Sequence, residues 1–102
     1  MFGTVARYRV KPGHEQHLLK EMTSFEQSPP PGWVYHTIFR STDDPNDIWI
    51  SVVFESEEVY RKNASSPEMD KQYRGMLEHL QGEPEWHDGH VIHEGMRQTP
   101  KS

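Results

Sequence analysis

The chain has 102 residues, 11 of them Lys or Arg against 16 Asp or Glu, and carries a formal charge of -5 with its histidines neutral. That acidic balance, with no dense Lys/Arg cluster, excludes a surface built to neutralise a run of phosphates, so nucleic acid is not an expected partner. The absence of cysteine excludes disulfides, thiol catalysis and iron–sulfur sites, and no apolar run approaches the roughly 20 residues of a membrane span.

Phe2 to Val10 alternates, with Phe2, Ala6, Tyr8 and Val10 on one side and Arg7 and Arg9 on the other; this predicts a first strand that stops at Lys11, Pro12 and Gly13. From His14 to Gln27 the spacing changes. Leu18, Met22 and Phe25 lie at i, i+4 and i+7, which predicts one helix, ended by the Ser28 to Gly32 cluster. Trp33 to Arg40 alternates again, Trp33, Tyr35, Thr37 and Phe39 opposing Val34, His36 and Ile38, and the turn-forming run Ser41 to Asn46 joins it in a hairpin to the next strand. In that strand, Asp47 to Phe54, the residues Ile48, Ile50, Val52 and Phe54 fall on one face and Trp49 and Val53 on the other, as in a central strand covered on both sides.

Ser56 supplies an N-cap oxygen, Glu57 and Glu58 place negative charge in the first turn, and Val59, Tyr60 and Asn63 share one face of a short helix. Ser66 and Pro67 break it, since proline starts a helix but cannot continue one. Met69, Tyr73, Met76, Leu77 and Leu80 then form the stripe of a longer helix ending near Gly82, and Glu85 to His93 is a weaker last strand.

Strand, helix, strand, strand, helix, strand is the order of an α+β, ferredoxin-like domain: a four-stranded antiparallel sheet with its helices on one face. Residues 1–93 are expected to form this single domain and residues 94–102 a polar, mobile tail. A chain of this length buries only roughly 65% of its unfolded surface. With 32% apolar residues and a mean hydropathy of -0.94, it has few hydrophobic groups to spare and no further helix for the other face of the sheet. A homodimer packed sheet against sheet, forming a dimeric α/β barrel, is therefore expected. The N-terminus lacks the basic and apolar regions of a secretory signal, which leads to the expectation of a soluble cytoplasmic protein.

At three places the sequence resembles the antibiotic biosynthesis monooxygenase family of small dimeric α+β barrels: Arg9 to Gly13 after the first strand, Pro31 and Gly32 before the second, and Phe54, Glu55 and Ser56 followed by Val59, Tyr60, Asn63, Ser66, Pro67 and Met69. The resemblance covers roughly residues 2–93. It implies a pocket between sheet and helices, and an activity drawn from a range that includes cofactor-free oxygenation of aromatic and quinol compounds and haem degradation. Family members commonly carry histidine where this chain has Asn63 and Glu68, so neither place offers a haem ligand or an imidazole acid/base here.

A cofactor-free oxygenase needs aromatic walls, a proton acceptor and donors for a developing oxyanion. Trp33, Trp49 and Tyr60 are the candidate ring-binding residues for a small aromatic molecule, and Asn63, His36 and Tyr73 the candidate catalytic ones. Core packing competes as a role for Tyr73 in its helix stripe and for Trp49 on a central strand. Trp33, just past the Pro-Gly turn, belongs either at the pocket mouth or in the dimer seam. Asn63 either orients a substrate oxygen or caps the helix break. His36 is the candidate base, with a structural hydrogen bond as the alternative, and Arg7 either stabilises an anion or forms a surface salt bridge.

No metal or other cofactor is expected. In a strand His87 and His93 share a face but stand about 20 Å apart, with His90 opposite, and His14 and His17 at i, i+3 lack a third ligand. The seven scattered glycines form neither a phosphate loop nor a dinucleotide fingerprint, and no local Ser-His-Asp signature is present. The main alternative is a non-catalytic barrel that binds a small molecule or serves in stress protection; a haem-degrading enzyme ranks third.

Overall fold

The period-two patterns become four strands, β1 (Phe2–Arg9), β2 (Trp33–Arg40), β3 (Asp47–Phe54) and β4 (Glu85–His90), in the computed structural model, which describes residues 1–97. All neighbours are antiparallel and the order across the sheet is β2-β3-β1-β4, so the chain's first strand pairs with its third and its last. The helices α1 (Glu15–Met22), α2 (Ser24–Gln27), α3 (Glu57–Ala64) and α4 (Pro67–Leu77) connect the strands and cover one face. This is the expected α+β ferredoxin-like arrangement. Of the tail expected over residues 94–102, residues 98–102 lie outside the described residues.

The core forms where the inward rows of β1 and β3 meet the helices: Ala6, Tyr8, Val10, Ile48 and Ile50 pack with Leu18, Met22, Met76 and Leu80. Ser56 Oγ accepts from the Val59 N–H and Ser66 Oγ from the Met69 N–H, both at 3.2 Å, so α3 and α4 each begin on a serine cap, with Pro67 opening the second.

Four details differ from the sequence reading. The first helix is two: the chain breaks at Thr23, where the Gln72 amide donates to the Glu21 carbonyl and to Ser24 Oγ. Those side-chain bonds take a carbonyl that a continuous helix would use itself. The longer helix ends at Leu77, before Leu80, because Lys11 N–H donates to the His79 carbonyl and Gln81 N–H to the Arg9 carbonyl, drawing residues 79–81 against the end of β1. The last strand ends at His90 rather than His93. In β2 the register slips between Trp33 and Tyr35, so Trp33 pairs with Phe54 while Tyr35 pairs with Val53. This bulge places Trp33 on the same side as His36, not opposite it.

The other face of the sheet is polar at its centre and apolar towards one edge. Arg7 makes a bidentate pair with Asp47 at 2.8 and 2.9 Å, lies 5.3 Å from the Trp49 ring centroid and reaches Glu85 at 3.7 Å. The Arg7 guanidinium holds the Asp47 carboxyl below the usual range.

Gly32 has φ +79°, and a Cβ there would collide with Val59 Cγ1 on α3, while its carbonyl accepts from the Glu55 N–H at 2.8 Å. Backbone conformation and space both require glycine. Gly32→Ala is expected to lower the unfolding free energy by about 1–3 kcal/mol, read from the midpoint of urea denaturation with the slope unchanged.

Candidate functional site

Inward side chains of the sheet and the facing helices enclose a cavity of about 420 Å³, within the range of small-molecule sites. Its floor is set by register. His36, Val52, Thr4 and Asp88 are successive Cα partners across all four strands, and all four line the cavity. Ile50 and Trp86 flank Ala6 in the next row towards Tyr8. From above, α3 contributes Tyr60, Arg61 and Asn63, α4 contributes Gln72 and Tyr73, and Met22 and Phe25 close the β2 side.

Of the residues singled out in the sequence, His36, Tyr60, Asn63 and Tyr73 therefore lie on one cavity wall or another. Trp33 stands just behind: it meets Phe25 at 6.3 Å and His36 at 5.1 Å between ring centroids, which its bulged position allows. Trp49 must be corrected. It points to the opposite face of the sheet, beneath Arg7, because odd and even positions of β3 face opposite ways and Ile50 and Val52 take the cavity side. Arg7 shares that face, where its ion pair with Asp47 is the structural role rather than anion binding in the cavity.

The sequence reading missed Thr4, Asp88, Arg61 and Trp86. Thr4 falls on the Phe2, Ala6 and Tyr8 side by simple alternation, and Trp86 is the only large apolar residue of β4; both signals were present but weak. Trp86 stands between Tyr8, at 5.8 Å and edge-on, and Tyr73, at 6.2 Å.

Electrostatically the cavity favours neutral phenols. Burial pushes the Tyr60 hydroxyl up to about 12, helped by the bond it donates to Asp88 Oδ1 at 3.0 Å; burial raises Tyr8 further and also raises Tyr73. All three remain donors at neutral pH. Arg61 approaches the other Asp88 oxygen at 3.5 Å and lies over the rings of Phe2 and Tyr60. Thr4 is close enough to ease ionisation of Tyr60 slightly, yet its Oγ1 is buried without a hydrogen bond of good geometry. His36 directs Nε2 at Glu26, 3.3 Å away, and its Nδ1 is buried and unpartnered.

Away from the cavity, His14 and His17 are joined by His79, an approach that sequence separation concealed. The Nδ1 atoms of His14 and His79 are 3.0 Å apart, and the rings of His17 and His79 stack at 5.6 Å. Among the described residues, no three His, Cys, Asp or Glu side chains are placed to hold a metal ion, and no helix is long and apolar enough to cross a membrane.

The family model for antibiotic biosynthesis monooxygenase matches residues 1–74. This chain belongs to that family. No curated protein matches it. Among solved structures it is similar to an asparagine-to-alanine variant of SnoaB, a cofactor-independent oxygenase from Streptomyces nogalater, with 18% identity, a TM-score of 0.76, and coverage of 91% of this chain and 94% of that one. A proposed antibiotic biosynthesis monooxygenase from Nitrosomonas europaea gives 15% identity and a TM-score of 0.75, covering 91% of this chain and all of that one. A conserved protein from Methanosarcina mazei Go1 gives 18% and 0.74, over 86% and 89% of the two chains. At these identities the likeness establishes the antibiotic biosynthesis monooxygenase fold, and chemistry must be argued from the cavity.

Tyr60 gives that electrostatic account a test. Its phenol ionises near 12 in the folded state and near 10 unfolded, so its contribution is complete below about pH 10 and disappears as pH rises towards 12. Tyr60→Phe is expected to flatten the loss of stability in that window, followed by urea denaturation at stepped pH; an unaltered slope would mean the hydroxyl is solvated.

Proposed function

We propose that the protein is a cofactor-independent monooxygenase of a planar phenolic or quinol-type small molecule, working as a homodimer. The observation that carries this reading is the cavity itself: a mainly apolar lining with aromatic walls, with neutral donors from Asn63 and Tyr73 on the helix side and an imidazole, His36, at the opposite edge. Family membership supports it. Trp86 replaces Trp49 in the ring-binding role, beside Tyr60.

In this scheme the substrate is its own reductant. Loss of a proton from its hydroxyl, with His36 as the acceptor, leaves an electron-rich ring anion. Its reactive carbon bonds dioxygen, and the protonated hydroperoxide expels water to leave a carbonyl, so a C–H₂ group and O₂ become C=O and H₂O. Asn63 and the un-ionised Tyr73 place hydrogen-bond donors where charge develops on oxygen. A cytoplasmic setting accompanies this proposal, since nothing in a chain without cysteine draws on an oxidising compartment.

Oxygen uptake by metal-free and flavin-free protein, measured against anthrols, naphthols and hydroquinones, tests the activity. Uptake above autoxidation is expected, with Asn63→Ala lowering kcat by about 10²-fold and Tyr73→Phe by about tenfold, at preserved circular dichroism. Uptake with no substrate of the panel would favour a barrel that binds without turnover.

For assembly, Val5, Tyr35 and Phe39 are exposed on the sheet face away from the helices, Phe39 by 56%, and burying them against a second copy covers that face. Sedimentation should give about twice the 12.0 kDa chain mass, and Phe39→Glu should return the protein to monomer. A monomeric wild type would overturn the dimer.

A further inference from the structure

Three histidines meet outside the cavity, and the reaction proposed above uses none of them. His14 is the residue before α1, His17 lies in its first turn, and His79 follows the end of α4. Their ring centroids form a triangle with sides of 5.3 Å (His14–His79), 5.6 Å (His17–His79) and 6.3 Å (His14–His17). An ion about 2.1 Å from an imidazole nitrogen stands roughly 3.2 Å from that ring's centre, so two imidazoles on a tetrahedral ion have centres about 5.2 Å apart. Two sides of the triangle are close to that value. His79 is the third ligand that the His14 and His17 pair lacks in the sequence.

His14 and His79 already face one another, Nδ1 to Nδ1 at 3.0 Å. On one tetrahedral ion these nitrogens would stand about 3.4 Å apart, a small opening that a tilt of each ring supplies. The Glu21 carboxylate orients His79 for this purpose. Its Oε1 is 3.7 Å from His79 Nε2, and its Oε2 is buried without a hydrogen-bond partner. A carboxylate only accepts, so it holds the His79 proton on Nε2 and leaves Nδ1 a lone pair, as carboxylates do behind metal-ligating histidines. That lone pair accepts the His14 Nδ1–H; a cation takes the proton's place when His14 shifts to its other tautomer. His17 lies flat against His79, with 10° between the ring planes, and so presents a face rather than a nitrogen. Residue 17 is exposed, and rotation about its χ angles turns an edge towards the other two rings.

We propose that His14, His17 and His79 bind a divalent transition-metal ion of tetrahedral preference, Zn²⁺ foremost, with Glu21 as a positioning residue and the fourth ligand position open. Three neutral imidazoles select such an ion over Mg²⁺ or Ca²⁺, which take oxygen ligands. His17 and His79 also line a groove of about 670 Å³, which gives water or a small ligand access to the fourth position. The ion clips residue 14 to residue 79, 65 positions away, and so ties the start of α1 to the end of α4. The site is independent of the oxygenase reading, since none of its residues lines the cavity.

Calorimetric titration of Zn²⁺ into the untagged, chelator-treated full chain is expected to show one equivalent bound, with Co²⁺ taking the same place and giving the intense visible absorption of a tetrahedral ion. His79→Ala and His17→Ala should each weaken Zn²⁺ binding about 10²-fold and Glu21→Ala about tenfold, while His87→Ala and His93→Ala change nothing. Zn²⁺ should raise the thermal midpoint of the wild type and not that of His17→Ala. Because residue 17 is exposed, that variant decides the matter if His79→Ala does not fold. An octahedral Co²⁺ spectrum, a Zn²⁺ affinity unmoved by His17→Ala, or binding of neither ion would overturn the inference.

Discussion

Because β1 and β3 pair without a break from Phe2↔Phe54 to Arg9↔Asp47, the side of the sheet each residue occupies is fixed for the whole molecule. A slip of one residue would exchange the two faces, sending Thr4, Ala6 and Tyr8 to the outside and Arg7 under the helices. The bidentate Arg7–Asp47 pair at one end of this ladder and the burial of Phe2 and Phe54 at the other oppose such a slip. The outer strands inherit the register: β2 brings His36 beside Val52, and β4 brings Asp88 beside Thr4. The cavity floor is thus a by-product of strand pairing, and the helices supply only its walls and roof.

This dependence explains which features could be seen in the sequence. Strand periodicity alone placed the boundaries of β2 and β3, and the serine caps of α3 and α4 were marked by Ser56 and Ser66 ahead of acidic residues and proline. Register-dependent facts were harder. Trp33 turns inward only because of a bulge in β2, and a bulge leaves no pattern in a run where polar and apolar residues already alternate poorly. Trp49 looked like a cavity wall because tryptophan suits rings, but alternation with Ile48 and Ile50 already assigned it to the other face. Trp86 and Asp88 come from a strand too polar to stand out, and His79 meets His14 across 65 residues of chain, beyond the reach of local spacing.

The cavity achieves its polarity with few charges. Its three tyrosines are held un-ionised by burial, and the Asp88 carboxylate is occupied from both sides by Tyr60 and Arg61. An environment of neutral donors in apolar surroundings strengthens each hydrogen bond to a bound oxygen relative to water, because little solvent competes. It also makes every unsatisfied group more costly.

The position of β4 has a consequence for dynamics. It is an edge strand, joined to the sheet by β1 alone, and all six of its residues are exposed when backbone and side chain are taken together. Charged and polar groups such as Glu85, His87 and Asp88 guard such an edge against pairing with a foreign strand. Local opening free energies fall where buried contacts are few, so amide protons of β4 exchange ahead of those in the doubly paired β1 and β3. Trp86 and Asp88 therefore sit on the sheet's least protected ladder, and fraying of that one edge unlatches a side of the cavity while the central strands and their core stay closed.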